Sequence, residues 1–457
     1  MAPVLRYVST NRTLRGAQRM RPVSFADALF AGLAPDGGLF MPDRIPRLNT
    51  ATIAAMRGRP YRDIAFAVLE PFLGRDLGTR NLKRMCTRAY DFPVPIERMD
   101  DATWLVRLDR GPTASFKDFA ARFMARCMAA LKPPRRRITI LVATSGDTGS
   151  AVGEAFCGIE GFSVHILYPR TEVSPVQKWQ LDGIGLNVHA VSLDGTFDDC
   201  QRLIKQAFLD PDLHALSLTS ANSINIGRIQ PQVVYHFHAH AYVASTAGSP
   251  LVFAVPSGNF GNSFGAELAA RMGLPVRRLV VAVNANDAFP RFLDSGVFRA
   301  LPSSTACMSN AMNVGNPSNL ARYFDLYGGT VDKDGVVHRK PDIVAMRRRL
   351  FSVSIGDKAT IAAMRRAYRV FGTVLEPHGA VGFAALERYR AHQGVQPAVC
   401  FETAHPAKFP GIVRDVLGVT TVAPEALRAA ASRPRSCVRL DNSYASLKQY
   451  LQDYELD

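Results

Sequence analysis

The sequence predicts an α/β protein built on parallel sheets with helices on both faces. Two observations carry this. Short, continuous apolar runs rich in β-branched residues alternate with helical patterns over most of the chain. Several of these runs end directly in turns made of Gly, Ser, Thr and Asn. A length of 457 residues exceeds what one simple core serves, so two or three domains are expected.

Taken in order, residues 24–30 read as an amphipathic helix capped by Ser24, and residues 34–38 as a turn. Residues 119–131 form an amphipathic helical pattern shortly after the turn at Gly111-Pro112. Strands are predicted over 138–143, 163–168, 188–193 and 216–219. Helices follow the first three, one running through Phe156 and one around Cys200 to Phe208. Later strands are predicted over 251–255, 279–284 and 398–401. No internal repeat or low-complexity segment stands out.

Composition narrows the function class. An apolar content of 47% and a charged fraction of 21% suit a soluble globular enzyme. No apolar run is long enough to span a bilayer, so no membrane partner is expected. The start lacks the apolar core of a secretory signal. It is arginine-rich and free of acids before Asp27, as transit peptides are, but the domain pattern already begins at Tyr7, so none is expected. The seven cysteines are scattered without a Cys-x-x-Cys pair, which suits reduced thiols in a cytoplasm. The formal charge of +16 invites a nucleic-acid reading. The basic residues are dispersed, however, and the clusters at 135–137 and 347–349 lack interleaved aromatics. A basic surface without a nucleic-acid partner is expected, and its positive field would favour an anionic substrate.

Four segments carry candidate chemistry. In the first, Lys117 stands between Phe116 and Asp118 at a helix start. An amine beside apolar surface has a depressed pKa and can form a Schiff base with an aldehyde cofactor. In the second, Ser257, Gly258, Asn259, Phe260, Gly261 and Asn262 follow a buried strand and precede a helix. Backbone N–H groups in such a turn, aided by the helix dipole, cradle a cofactor phosphate. The spacing matches neither a Walker loop nor a dinucleotide fingerprint. In the third, Thr144, Ser145 and Thr148 line another helix start suited to a carboxylate or phosphate. Asn222, Ser223 and Arg228 add a further polar cluster; on one continuous helix Arg228 would lie about two turns beyond Asn222. Two anion sites beside an amine suggest a pyridoxal-phosphate enzyme acting on an amino acid, and Arg228 could clamp a second phosphate belonging to the substrate. His236, His238 and His240 alternate, but no acid separates His236 from His240, so packing histidines and no metal site are expected.

The whole constellation resembles the threonine synthases of the fold type II pyridoxal-phosphate enzymes, in the longer microbial and fungal subgroup. The resemblance runs through residues 7–10, 33–42, 111–119, 143–149, 222–228, 256–262, 309–312, 376–378 and 403–409. It implies two parallel-sheet domains flanking the cofactor and an additional N-terminal domain. The boundaries it suggests are 1–98 for the N-terminal domain, 99–119 with 241–430 for the large domain, 120–240 for the small domain, and 431–457 for a C-terminal segment. By this resemblance Lys117 carries pyridoxal 5'-phosphate as a Schiff base, with Phe116 near its ring. Gly258, Asn259, Phe260, Gly261 and Asn262 bind its phosphate, Thr403 faces its pyridine nitrogen, and Asp147 lies near its 3'-oxygen. Thr144, Ser145, Thr148, Asn222, Ser223 and Arg228 contact the substrate. The implied reaction converts O-phospho-L-homoserine and water to L-threonine and phosphate, in a cytoplasmic monomer or homodimer.

The chain departs from the family pattern at Asp109, Arg110, Ala114, Ser115, Asn313 and Glu402. Two other enzyme readings share the same residues: a phospholyase or dehydratase releasing a 2-oxo acid, and a paralogue specialised for a related phosphorylated amino acid. An idle scaffold or nucleic-acid-binding protein is the reading from another class, and it rests on charge alone.

Overall fold

The structure, a computed structural model, describes residues 4–14 and 20–455. Part of the arginine-rich start, residues 1–3 and 15–19, lies outside the described residues. Strands β1 (Tyr7–Ser9) and β2 (Phe40–Pro42) pair antiparallel near the N-terminus. Strands β3 (Ile96–Arg98) and β4 (Thr103–Arg107) begin a larger sheet. Strands β5 (Ile138–Ala143), β6 (Phe162–Pro169), β7 (Val188–Leu193) and β8 (Leu218–Ser220) build a second one. Strands β9 (Leu251–Pro256) and β10 (Val276–Val283) return to the larger sheet. A small hairpin, β11 (Thr330–Val331) with β12 (Val337–Arg339), precedes its last two strands, β13 (Leu350–Ser354) and β14 (Ala398–Glu402). Strand β15 (Val438–Leu440) comes back to the second sheet.

The larger sheet has the order β13-β10-β9-β14-β4-β3 and is parallel except at its β3 edge. The second sheet, β15-β7-β6-β5-β8, is parallel throughout. The central strands are buried along almost their whole length, which is why they read as unbroken apolar runs. The C-terminal segment does not stand apart. Beyond supplying β15, it docks helix Tyr444–Glu455 through Leu447 and Leu451 onto a core that includes Val191, Leu203 and Leu213.

Most predicted elements recur within two or three residues. Ser24 caps helix Phe25–Ala31, and Asp27 returns the bond to complete a capping box. Three differences have local causes. The helix after Gly111-Pro112 begins at Lys117, because Asp118 turns back to accept from Thr113 N (2.9 Å) and Thr113 Oγ1 (2.7 Å) and locks the preceding turn. The fourth strand of the second sheet starts at Leu218, because Pro211–Leu216 winds into a 3₁₀ turn that ends on left-handed Ser217. Asn222 and Arg228 are not on one helix. Asn225 caps a short helix, Ile226–Ile229, by accepting from Gly227 N, so Asn222 and Ser223 lie in the turn before it.

The N-terminal helices Tyr61–Leu77 and Thr79–Ala89 meet helices Lys117–Leu131 and Val234–Val243 in an aromatic cluster. Tyr61 packs edge-on against Tyr90, Phe119 and His238. His236, His238 and His240 donate through Nε2–H to the carbonyls of Asn262, Val94 and Ser249. All three are packing residues, and burial holds their pKa values low.

Because Leu447 is fully buried in the core beneath β7, Leu447→Ala is expected to cost about 2–4 kcal/mol of stability in urea unfolding. A cost well under 1 kcal/mol would show that the C-terminal helix is not part of that core.

Candidate active site

A cavity opens between the two sheets, where the turns after β5, β8, β9 and β14 come together. Every site residue expected from the sequence lines it: Phe116, Lys117, Thr144, Ser145, Asp147, Thr148, Asn222, Ser223, Arg228, Gly258, Asn259, Phe260, Gly261, Asn262 and Thr403.

Lys117 sits at the first turn of its helix with its Nζ 4.8 Å from the Phe116 ring centroid. The loop before it is hydrogen-bonded to the loop after β14: Phe116 N donates to Thr403 O (2.8 Å) and His405 N to Ala114 O (3.0 Å). Burial lowers the Lys117 pKa; Asp147 opposes this, and Lys408 and Arg228 reinforce it. A lowered pKa suits an amine to act as a nucleophile or to carry a proton.

Asp147 opens the helix Asp147–Phe156 and is itself buried. Its Oδ2 lies 3.7 Å from Lys117 Nζ, and its Oδ1 takes Lys408 Nζ at 2.7 Å and Gln177 Nε2 at 2.8 Å. Burial alone would raise its pKa. The ammonium groups of Lys408 and Lys117 overcome that and hold the carboxyl well below the usual carboxylate range.

In the turn after β9, Phe260 adopts the left-handed conformation (φ 59°) just before helix Gly261–Arg271. A Cβ on Gly258 would stand 2.6 Å from Ala311 O and 2.8 Å from Met312 Cα, so glycine there lets the 309–312 loop close over the turn. The asparagines act as braces. Asn262 Nδ2 donates to Pro256 O, Asn259 Nδ2 to Ser223 Oγ, and Asn319 Nδ2 to Asn259 O. What the turn offers an anion is the N-terminal end of the helix.

Arg228 is buried, with Nη1 on Ala221 O (2.6 Å) and an Nε that has no partner. Burial lowers its pKa to about 10, so it stays charged at neutral pH. A buried guanidinium on a residue that lines the cavity is suited to an arriving anion. Thr144 Oγ1 accepts from Gly146 N and Gly149 N, and Asn222 Nδ2 donates to Ala143 O. These two side chains therefore shape the turns after β5 and β8 as well as lining the cavity.

Comparison with known proteins agrees with this geometry. Residues 92–402 match the model of the pyridoxal-phosphate-dependent enzyme family, residues 6–90 that of the threonine synthase N terminus, and residues 379–451 that of the threonine synthase C-terminal region. The chain is 39% identical to a threonine synthase of Serratia marcescens over 431 residues, covering 94% of this chain and 96% of that one. It superposes on the crystal structure of threonine synthase from Escherichia coli with a TM-score of 0.88 at 35% identity, covering 98% of this chain and 100% of that one. On pyridoxal-phosphate-bound threonine synthase from Brucella melitensis the TM-score is 0.90 at 36% identity, covering 98% and 99%.

The chain belongs to the threonine synthase family.

Its cofactor is pyridoxal phosphate, and the residues present fit that group. A lysine with a lowered pKa, a glycine turn at a helix start and a buried arginine share one cavity.

Most of the departures from the threonine synthase pattern do not line the cavity. Asp109 and Arg110 belong to an ion network with Arg107 and Glu97. Ala114 and Ser115 are buried in the loop before Lys117, Ala114 in the left-handed region (φ 54°). Asn313 does reach the cavity, and its Oδ1 accepts from Asn284. Glu402 lies behind Thr403. Burial and the neighbouring Glu376 hold its pKa well above the usual range.

Several site residues were not foreseen. Thr403 Oγ1 donates to Glu376 Oε1 (3.2 Å), Glu376 Oε2 binds His378 Nδ1, and His378 Nε2 accepts from Ala311 N (3.1 Å). Glu376, His378 and Lys408 all fall in segments that carry the family resemblance, but nothing local in the sequence marks them as buried partners. Gln177, inside an ordinary capped helix, gives no signal at all.

Glu402 also explains a glycine. A Cβ at Gly379 would stand only 1.8 Å from Glu402 Oε2. Gly379→Ala is expected to destabilise the protein by about 1–3 kcal/mol, and by much less in a Glu402→Ala background. An equal loss in both backgrounds, measured by urea unfolding, would show that Glu402 is not what requires glycine at 379.

Proposed function

We propose that this chain converts O-phospho-L-homoserine and water to L-threonine and phosphate, each of its two phosphate-bearing ligands having its own cradle. The observation that carries the reading is the buried arginine Arg228, lining the same cavity as Lys117 but in a different segment from the 257–262 turn.

Bound pyridoxal phosphate supplies the electron sink for carbanion chemistry at the substrate's α- and β-carbons. The chain's residues do the rest. The turn from Gly258 to Asn262 would hold the cofactor phosphate at the helix start, Phe116 would line the place of its ring, Thr403 would serve its pyridine nitrogen and Asp147 its 3'-oxygen. Thr144, Ser145 and Thr148 bind the substrate carboxylate at the start of helix Asp147–Phe156. Lys117 Nζ takes the Cα proton, takes one from Cβ, returns one to Cγ after phosphate has left, and returns one to Cα once water has added at Cβ. Arg228, with Asn222 and Ser223, binds the substrate phosphate and stabilises the charge it gains as it departs. Water adds at Cβ, which distinguishes the reaction from release of a 2-oxo acid.

The domain division that goes with this chemistry is 1–98, 99–119 with 241–430, and 120–240, with 431–457 attached to the last through β15 and helix Tyr444–Glu455. The two sheets, one to each side of the cavity, support it. The enzyme acts in the cytoplasm as a monomer or homodimer, without nucleic-acid or membrane partners. Seven unpaired cysteines support a reducing compartment.

Product analysis with O-phospho-L-homoserine tests the reading. Threonine and phosphate in equal amounts are expected, and 2-oxobutyrate as the main product would overturn it in favour of a lyase that does not hydrate. Arg228→Ala is expected to lower turnover by about two to three powers of ten while leaving cofactor affinity nearly unchanged. Loss of the cofactor from Arg228→Ala with residual turnover intact would mean the two cradles are assigned in reverse.

A further inference from the structure

Lys408 is among the most deeply buried charges of the molecule, and the reaction described above gives it no task. Its Nζ lies 2.7 Å from Asp147 Oδ1 and 2.9 Å from the Thr113 carbonyl. It therefore ties the short turn after β14 both to the start of helix Asp147–Phe156 and to the loop that delivers Lys117. Gln177 Nε2 holds the same Asp147 oxygen at 2.8 Å, while the other oxygen, Oδ2, faces Lys117 Nζ at 3.7 Å. One end of the carboxylate is thus fixed and the other is presented to Lys117.

The cost of this arrangement argues against a filler role. Burying an ammonium is unfavourable unless it is paired and hydrogen-bonded, and an apolar side chain of similar length would fill the same space without that cost. The charges around Lys117 show what the second ammonium changes. Asp147 and Glu376 face Lys117 as anions; Lys408 and Arg228 face it as cations, and Asp118 borders Lys408. Without Lys408, Asp147 and Lys117 would form a simple buried pair, and Lys117 would be slow to give up its proton. With Lys408, the carboxylate is already balanced, so it can orient Lys117 without trapping its proton.

We propose that Lys408 is a positioning residue for Lys117: it pins the Asp147 carboxylate with Oδ2 toward Lys117 Nζ and offsets the negative charge that would otherwise hold the Lys117 proton. The proposal rests on the reading of Lys117 as the lysine that carries the cofactor.

The test follows the proton on Lys117 itself. The pH dependence of reductive methylation at Lys117 is measured in the full-length, cofactor-stripped protein by peptide mass spectrometry. The pH dependence of the visible absorbance band is measured in the cofactor-loaded protein. Removing a neighbouring cation favours protonation, so Lys408→Met is expected to move both midpoints upward by about one pH unit or more. Asp147→Asn, which removes an anion, is expected to move them downward. Lys408→Arg should stay within about half a unit of the parent, because the charge is kept. Should Lys408→Met fail to fold, Lys408→Gln, which can still donate to Asp147 and Thr113, carries the same expectation. An unchanged or lowered midpoint in the charge-removing variant overturns the proposal. A separate borohydride reduction of the loaded parent protein identifies the cofactor lysine. Labelling elsewhere than Lys117 would refute the reading beneath the proposal, whatever the midpoints do.

Discussion

Burying the Lys117 ammonium takes it out of water, and the rest of the site is arranged around the carboxylate that compensates it. Asp147 comes from the turn after β5, Lys117 from the start of the helix that follows β4, and Lys408 from the turn after β14. The three meet only if both sheets are correctly built and the 403–409 turn closes onto the 111–117 loop. That closure is made by backbone, through Phe116 N on Thr403 O and His405 N on Ala114 O. Charge at the site and topology of the fold are therefore two views of the same constraint.

The anion sites follow a second rule: side chains brace the turns, leaving helix starts and one guanidinium to face the cavity. Asn259, Ser223 and Asn319 bond to one another across the entrance. Behind them Arg322, fully buried, donates to Phe40 O, Ser223 O and Ile224 O. It thereby couples β2 of the N-terminal region to the turn that carries Asn222 and Ser223. The N-terminal region, remote from the chemistry in sequence, helps to position a segment of the cavity wall.

The sheets were legible in the sequence because buried parallel strands leave continuous apolar runs, and β5 and β7 coincide with the predicted ranges. The cavity residues were legible because turns at strand ends carry a distinctive mixture of Gly, Ser, Thr and Asn. The short helix after Asn225 was not, since a local Asx cap overrode the helical spacing between Asn222 and Arg228. Lys408, Gln177 and His378 escaped for another reason. Their importance lies in partners thirty or more residues away, and a lysine in a polar loop looks the same in sequence whether buried or exposed. The fixed glycine at 379 is of the same kind, intelligible only once Glu402 is seen against it.

The most direct measurement is a crystal structure of the cofactor-loaded enzyme with a non-hydrolysable phosphonate analogue of O-phospho-L-homoserine. Two separate anions are expected: the cofactor phosphate at the 258–262 turn, and the phosphonate against the Arg228 guanidinium. A phosphonate bound away from Arg228, or a cofactor phosphate held by Arg228, would contradict the division of the cavity into two cradles.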